Sequence, residues 1–411
     1  MTESMPPRFP LKRRQLLGGA AATAGLALPA LARAAPAAVK IGLLHPVTGA
    51  FAYEGSQGRK GAMLALQEIN AAGGIKSLGG ARIEPVLGDA QSNPDAAVAE
   101  VDRMAGQGVS AVQGGFASNI VLAATQQAAK HNLAYMVDVG VVDQIVQRGL
   151  ANTFRFAPGF GKVTSTGLSN LVTLNDAAGK PAKTVVIVHE NGAFGSGMAK
   201  LLHAKLPPLG FKILRTIGHP TPQRDFTTIA LQVRQAAPDL IIPSNYKNEF
   251  ILMARAFRQQ HVHPKVAMYA ILGGAASNVT FAKNDPQAAE YIMDCNHYYD
   301  PNKALSKAFA AKVAANKWDL TYEMMLNYSA MRVLADAIER AASTGRAKVI
   351  EALAASTYSD TIMPYGPTKF VHGQNQGAQP VNTQIQQDQI EVIFPRAFAS
   401  AKPIFPIPAA G

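Results

Sequence analysis

Residues 114–119 could bind a carboxylate group. Gly114 and Gly115 follow a short apolar run, and Ser118 and Asn119 stand where a helix is predicted to begin. The first amides of a helix lack partners within the helix, and the helix dipole favours an anion there. A hydroxyl group and a side-chain amide beside these amides would complete a cradle for a carboxylate. Ser118 also suits a plain helix N-cap, and the two roles are compatible.

Aromatic side chains form a second chemical pattern. They stand in the loops that directly follow predicted strands, rather than at buried strand positions, and they are Phe51, Tyr53, Phe116, Phe194 and Tyr246. Each ring alone suits local packing. Together, at strand ends, the rings predict the walls of a site for an apolar or aromatic ligand.

Motifs for catalysis, cofactors and metals are weak or absent from the sequence. The loop 192–197 (GAFGSG) follows a strand, but its glycine order differs from the dinucleotide-binding motif. Neither a P-loop nor a G-x-S-x-G motif is present. His261 and His263 flank a single residue before Pro264, which suits a solvated turn better than a metal site. We therefore predict no catalytic residues, no cofactor and no metal.

The elements that must position these residues alternate between strand and helix. Predicted strands of a first series cover 39–44, 82–89, 110–113 and 133–137, and those of a second series cover 184–189, 211–217, 240–243, 266–270 and 291–296. The alternation predicts an α/β fold with two parallel sheets, each flanked by helices. Ligands bind beyond the carboxyl ends of strands in such sheets, where the loops described above lie.

Composition fits a globular chain of two domains. The chain has 411 residues, and 48% of them are hydrophobic. A chain of this length is too long for one ordinary core. The formal net charge is +12, but the basic residues are dispersed, so we predict no nucleic-acid partner. The positive excess mildly favours an anionic ligand. The single cysteine, Cys295, excludes an intramolecular disulfide.

Residues 1–34 have the pattern of an export signal. Arg13 and Arg14 precede the uncharged run 16–32, and Ala32-Arg33-Ala34 resembles a cleavage site. Paired arginines indicate the twin-arginine (Tat) route. An uncleaved membrane anchor is the alternative, although the run is short for a bilayer span. We expect a periplasmic protein that is cleaved near Ala34.

Several stretches resemble periplasmic substrate-binding proteins of the branched-chain amino-acid class, which serve ABC importers. The resemblance covers 39–408, and its most specific parts are 41–51 (IGLLHPVTGAF), 61–75 (GAMLALQEINAAGGI), 89–94 (DAQSNP), 191–195 (NGAFG) and 373–375 (GQN). It implies a type I periplasmic-binding-protein fold, an inner-membrane ABC permease and ATPase as partners, and a monomer.

The same resemblance implies two lobes that close around a ligand. Lobe one would be 39–155 with 300–360, and lobe two would be 156–299 with 361–411. Three crossovers would join the lobes, near Phe156, Tyr299 and Thr361.

The ligand-reading positions of that class are matched only in part. Ser118 matches its hydroxyl position, whereas 137–142 (VDVGVV), with Val139 and Gly140 as candidate contacts, lacks Ser and Thr. The loop 272–278 (LGGAASN), with Gly273 as a candidate contact, lacks the glutamate that would pair an α-ammonium group. An unpaired buried ammonium is costly, although Asp138 lies near in sequence.

These departures favour a small organic ligand that is an aromatic or aliphatic carboxylate. A branched-chain or other amino acid is the nearest alternative. A periplasmic enzyme on the same two-lobed scaffold is the second alternative.

Overall fold

The computed structural model describes residues 36–408. The predicted export signal 1–34 and its cleavage site lie outside these residues. None of the described helices combines the length and the apolar character that crossing a bilayer requires.

The first sheet contains seven strands and is mostly parallel. Its spatial order is β11-β12-β5-β4-β3-β1-β2, and the strands are β1 (Val39–His45), β2 (Ile83–Asp89), β3 (Ala111–Gly114), β4 (Ala134–Val137), β5 (Thr153–Arg155), β11 (Phe370–Val371) and β12 (Gln374–Asn375). Only the β11–β12 pair runs antiparallel. Each strand from β1 to β4 is followed by a helix, so their carboxyl ends meet at one edge.

The second sheet also contains seven strands, in the order β14-β13-β10-β9-β8-β6-β7. They are β6 (Thr184–Glu190), β7 (Lys212–His219), β8 (Leu240–Ser244), β9 (Ala267–Ile271), β10 (Met293–Asn296), β13 (Val381–Gln386) and β14 (Gln389–Phe394). Strands β6 to β10 are parallel, and β13 and β14 add an antiparallel edge. The predicted α/β fold with two parallel, helix-flanked sheets is confirmed.

Helices cover both sheets. They are α1 (Ala52–Ala71), α2 (Pro94–Gly106), α3 (Ser118–Lys130), α4 (Gln144–Gln147), α5 (Phe160–Ala177), α6 (Ala193–Lys205), α7 (Thr227–Ala236), α8 (Lys247–Gln259), α9 (Val279–Asn284), α10 (Pro286–Ala289), α11 (Ala304–Ala315), α12 (Tyr322–Ala341) and α13 (Arg346–Ala354). Every residue of β3, β4, β8 and β9 is buried. Because strand side chains alternate between faces, both faces of the sheets must be covered.

Local sequence explains where several helices begin. The side chain of Asn93 accepts the amide of Asp95 at 2.7 Å, and Pro94 occupies the first turn of α2, where its missing N–H costs nothing. Thr321 caps α12 through the amide of Met324. Helix α12 is buried along most of its length and packs along α1, which explains its apolar character.

The chain passes between the sheets after β5, after β10 and after β12. Gln374 of β12 pairs with Arg155 of β5, so 370–375 belongs to the first sheet. The predicted crossover near Thr361 is therefore placed too early, and the predicted range 361–411 contains strands of both sheets. The buried side chain of Asn375 also donates to the carbonyl of Phe156, which ties this segment to the first crossover.

Candidate functional site

A cavity lies at the carboxyl ends of the strands and is lined from both sheets. The empty space between its walls, including the opening to solvent, is about 420 Å³. Loops that follow strands, together with the first residues of helices, supply its lining, which consists of Phe116, Ser118, Val139, Val141, Phe194, Asn245, Tyr246, Lys247, Leu272, Gly274, Asn296, His297 and Tyr322. Because this figure includes open solvent, the enclosed part of the cavity is smaller.

The turn between β3 and α3 places Ser118 on the first-sheet side of the cavity. Gly114 has φ 140°, and a Cβ atom there would lie 1.8 Å from the carbonyl oxygen of Leu44, so only glycine fits. Ser118 is 2% exposed, and its Oγ accepts the amide of Val142 at 3.4 Å. The N-cap of α3 is Ala117, with no side-chain cap, so Ser118 does not act as the N-cap. Its hydroxyl proton can be donated elsewhere.

Two lining residues have backbones in the left-handed region although neither is glycine. Phe116 has φ 64° and Leu272 has φ 57°. This conformation is uncommon for bulky residues and costs about 1–3 kcal/mol at each position. Both residues sit where the chain leaves a strand and passes the cavity, so the strain is located at the site.

Aromatic rings from the two sheets meet at Tyr246. Its ring centroid lies 4.5 Å from that of Phe51, 5.9 Å from that of Phe116 and 5.2 Å from that of Phe194. Phe51 and Phe116 follow strands of the first sheet, whereas Phe194 and Tyr246 follow strands of the second sheet. Offset and tilted ring pairs at these distances are favourable, so this cluster stabilises the approach of the two halves.

Lys247 is the charged side chain of the lining, and Tyr53 holds it. The Lys247 Nζ lies 3.3 Å from the centre of the Tyr53 ring, a cation–π contact between the two halves. The Tyr53 hydroxyl donates to Asp319 at 2.8 Å and lies 3.2 Å from the Thr280 hydroxyl. Tyr53 is therefore placed behind Lys247 and is not itself part of the lining.

Two buried carboxyl groups lie close enough to influence Lys247. Burial raises the pKa of Glu54 to about 8, and it raises the pKa of Glu323 to about 7. Burial also lowers the pKa of Lys247, while the negative charge on Glu54 opposes that shift. Since Glu54 remains largely protonated at neutral pH, it neutralises the Lys247 charge only in part.

Polar side chains of the second sheet complete the cavity. His297 is 1% exposed, and neither of its ring nitrogens has a hydrogen-bond partner among residues 36–408. Burial, with a smaller effect of the positive charge on Arg155, lowers the pKa of His297 to about 3, so the imidazole is neutral. Asn245 is fully buried, and its side-chain nitrogen lies 2.9 Å from His219 Nε2. Its Oδ1 has no hydrogen-bond partner within the described part of the chain.

Asp294 fixes the loop that carries Leu272 and Gly274. Its carboxylate accepts the Gly273 amide at 3.1 Å, the Ser277 hydroxyl at 2.8 Å and the Asn296 side-chain amide at 2.8 Å. Burial raises the pKa of Asp294 to about 6 despite these hydrogen bonds. Asp294 is thus a positioning residue, because it connects two separate parts of the lining.

The structure sorts the predicted site residues into three groups. Those that line the cavity are Phe116, Ser118, Val139, Phe194 and Tyr246. Phe51 and Tyr53 support the lining through Tyr246 and Lys247. The remaining three predicted residues, Asn119, Gly140 and Gly273, do not line the cavity.

Each of these three exceptions has a physical reason. Asn119 points to solvent and its Oδ1 accepts the amide of Ile120, because helix phase turns it away from Ser118. Gly140 packs against Val121 of α3, where a Cβ atom would approach to 2.9 Å. Gly273 faces Ala270 and Phe250 behind the loop.

Sequence reasoning missed several lining residues, notably Asn245, Lys247, Asn296, His297 and Tyr322. Asn296 and His297 lie at the carboxyl end of β10, and ligands bind beyond the carboxyl ends of parallel strands, so their position in the sequence was a usable signal. Lys247 begins α8 directly after the predicted Tyr246. Tyr322 comes from α12, which does not directly follow a strand, so the position of strand ends gives no signal for it.

Residues 36–408 hold no group of three or more His, Cys, Asp or Glu residues placed to bind a metal ion. The geometry described above is that of a small-ligand receptor: two α/β halves, a cavity between them, and lining from both.

The chain belongs to the periplasmic binding protein family, whose model matches residues 38–387. It is 26% identical to the Leu/Ile/Val-binding protein homolog 8 of Brucella suis, over 95% of this chain and 98% of that protein. The family match confirms the resemblance to periplasmic binding proteins seen in the sequence, and the function class is the binding of a small ligand.

Solved structures share the fold. The leucine-binding protein of Thermotoga maritima has a TM-score of 0.73 at 21% identity, covering 86% of this chain and 97% of that one. A branched-chain amino-acid-binding protein of Streptococcus pneumoniae in complex with isoleucine has a TM-score of 0.73 at 22% identity, covering 87% and 100%. A solute-binding protein of Rhodopseudomonas palustris in complex with benzoate has a TM-score of 0.74 at 19% identity, covering 89% and 97%.

Proposed function

We propose that this protein captures a small organic carboxylate, aromatic or aliphatic, and delivers it to an inner-membrane ABC permease and its ATPase. The ligand would lie between two lobes, one built on each sheet. Strands β11 and β12 belong to the first sheet, so we set the third crossover after β12. Lobe one would then be 39–155 with 300–375, and lobe two would be 156–299 with 381–408. Ligand contacts to both lobes would favour the closed state.

The charge of the cavity is the observation that supports a carboxylate. Lys247 is the one charged side chain among the lining residues of the described chain, because His297 in the same lining is neutral. A single ammonium group in a half-buried site with apolar and aromatic walls suits one anionic group on an apolar ligand. The hydroxyl of Ser118 on the opposite lobe offers the carboxylate a second donor.

An amino acid is the alternative ligand, and two observations bear on it. The Leu/Ile/Val-binding homologues and the isoleucine complex favour it, since they share the family or the fold. An α-ammonium group, however, needs a carboxylate, and the lining of the cavity among residues 36–408 contains none. Asp138 lies outside the lining with its Oδ2 3.5 Å from His45 Nε2. The benzoate complex shows that this fold accommodates an aromatic acid.

The remaining parts of the proposal concern location and state. We assign residues 1–34 to a Tat signal that is cleaved near Ala34, so the mature protein would act in the periplasm. We further propose that it acts there as a monomer. We assign it no catalytic step, because the lining of the described cavity offers no nucleophile paired with a base.

A thermal-shift panel tests the proposal. Purified protein is heated with benzoate, phenylacetate and hexanoate, with the amide of each acid, and with leucine and isoleucine. A ligand at a hundred times its Kd stabilises the folded state by about 2.7 kcal/mol, which is a measurable rise in Tm.

We expect at least one acid to raise Tm, and its amide and the amino acids to leave Tm unchanged. The variant Asn119→Ala serves as a control and should show the same Tm shifts as the wild type, because the exposed side chain of Asn119 lies beside Ser118 but outside the cavity. A rise with the amino acids alone would refute the carboxylate proposal and establish the alternative.

A further inference from the structure

Three polar atoms of the cavity lining are buried without a hydrogen-bond partner among residues 36–408. They are both ring nitrogens of His297 and the Oδ1 of Asn245. Asn296, which precedes His297, differs, because its Nδ2 donates to Asp294 and its Oδ1 accepts the amide of His297. The lining therefore contains one residue whose side-chain nitrogen and oxygen both have partners and two residues that retain unpaired polar atoms.

Buried polar groups are almost always hydrogen-bonded, so these atoms indicate a partner that enters the cavity. Neutral imidazole offers one donor and one acceptor, and an amide oxygen offers an acceptor only. The complementary group on a ligand must both donate and accept. A hydroxyl group meets this requirement, whereas an ammonium group has no lone pair with which to accept from the imidazole N–H.

Other lining residues supply groups that suit the carboxylate and the apolar part of the ligand. Ser118 and Lys247 supply the donors that suit the carboxylate. Phe116, Phe194 and Tyr246 supply apolar surface. The centroid of the His297 ring lies 6.0 Å from that of Tyr322, with the two ring planes inclined at 52°.

Resting on the proposed function, we infer that the cargo carries a hydroxyl group in addition to its carboxylate, and that His297 recognises this hydroxyl. His297 is then a specificity-determining residue. An acid without the hydroxyl leaves the imidazole unpaired in a closed cavity, so it binds more weakly than its hydroxylated counterpart.

Calorimetric titration of the wild-type protein with matched acids tests this inference. The pairs are benzoate with ortho-, meta- and para-hydroxybenzoate, and hexanoate with its terminally hydroxylated counterpart. We expect at least one hydroxylated acid to bind about tenfold or more tightly than its parent. Equal Kd values within every pair would overturn the inference and leave the carboxylate proposal intact. Absence of binding by all acids would instead refute the proposed function.

Variants locate the effect. His297→Phe keeps a ring but removes both nitrogens, so we expect it to bind parent and hydroxylated acids equally. His297→Gln retains a donor and an acceptor, and we expect it to keep part of the preference. His203→Phe is the control, because His203 is exposed and outside the cavity. A preference that survives in His297→Phe would overturn the role of His297, and if that variant does not fold, the wild-type comparison decides.

Discussion

Replacing Lys247 by Met removes the positive charge of the cavity while retaining a flexible, mostly apolar side chain of similar length. Lys247 starts α8, is half-buried, and meets Tyr53 of the opposite lobe. Met can still pack on the Tyr53 ring, so the contact between lobes is largely preserved. The substitution therefore tests the charge separately from the packing.

The expected loss follows from the position of the ammonium group. Two unit charges about 4 Å apart attract by about 4 kcal/mol at the effective dielectric of a protein surface. Removing one partner of a desolvated charge pair costs about 2–5 kcal/mol in complexes. Because Lys247 is partly exposed and dehydration offsets some of the attraction, we take the low end. A loss of ~2 kcal/mol corresponds to a Kd raised roughly thirtyfold.

The assay is calorimetric titration of an acid and of its amide, with wild type and Lys247→Met. We expect the acid to lose most of its affinity and the amide to be unaffected, because only the acid is charged. Lys200→Met is the matched control, since Lys200 is exposed on α6 and outside the cavity. An equal loss for acid and amide would show that Lys247 acts by shape, and no loss for the acid would refute the reasoning.

Three further predictions concern the walls of the site and its buried acids. Phe194→Ala removes a ring that is 7% exposed and contacts Tyr246 and Phe160. We expect ligand affinity to fall at least tenfold and the free energy of unfolding, measured with denaturant, to fall by ~2–4 kcal/mol. Unchanged affinity would contradict the position of Phe194 in the cavity lining. Asp294→Asn keeps the shape of the side chain but weakens its hydrogen bonds to Ser277 and Gly273. We expect weaker ligand binding with a small loss of stability. A large loss of stability with unchanged ligand affinity would show a purely structural role. The pKa of Glu54 is raised from 4.5 to about 8 by burial, so between these pH values the folded state binds more protons and stability falls as pH rises. The free energy of unfolding in urea should therefore fall between pH 5 and pH 8, and Glu54→Gln should reduce this fall by ~2 to 4 kcal/mol. The same fall in Glu54→Gln as in the wild type would show that Glu54 does not titrate as described.

The fold was predictable because its signals are local and repeated. Most of the parallel strands are short runs rich in apolar residues that a helix follows, and helix starts such as Asn93-Pro94 have their own capping residues. The position of the third crossover was not predictable, because β11 and β12 contain only two residues each. Their place depends on one pairing, Gln374 with Arg155, between residues distant in sequence.

The site was predictable where it depends on strand ends and not where it depends on side-chain direction. Phe116, Phe194 and Tyr246 line the cavity because parallel strands bring their following loops to one edge. Asn119 fails because one step along a helix rotates a side chain by about 100°, which turns it to solvent beside the buried Ser118. His297 carries no distinctive local pattern, and its importance depends on tertiary burial without a partner.

The most direct test of the central claim is calorimetric titration with leucine and with its deamino counterpart, the carboxylic acid that has the same carbon skeleton but no α-ammonium group. Both ligands present the same carboxylate and the same apolar body to the cavity, so the comparison isolates the ammonium group. The cavity charge set by Lys247 predicts binding of the deamino acid and weak or undetectable binding of leucine. Tighter binding of leucine would contradict the account.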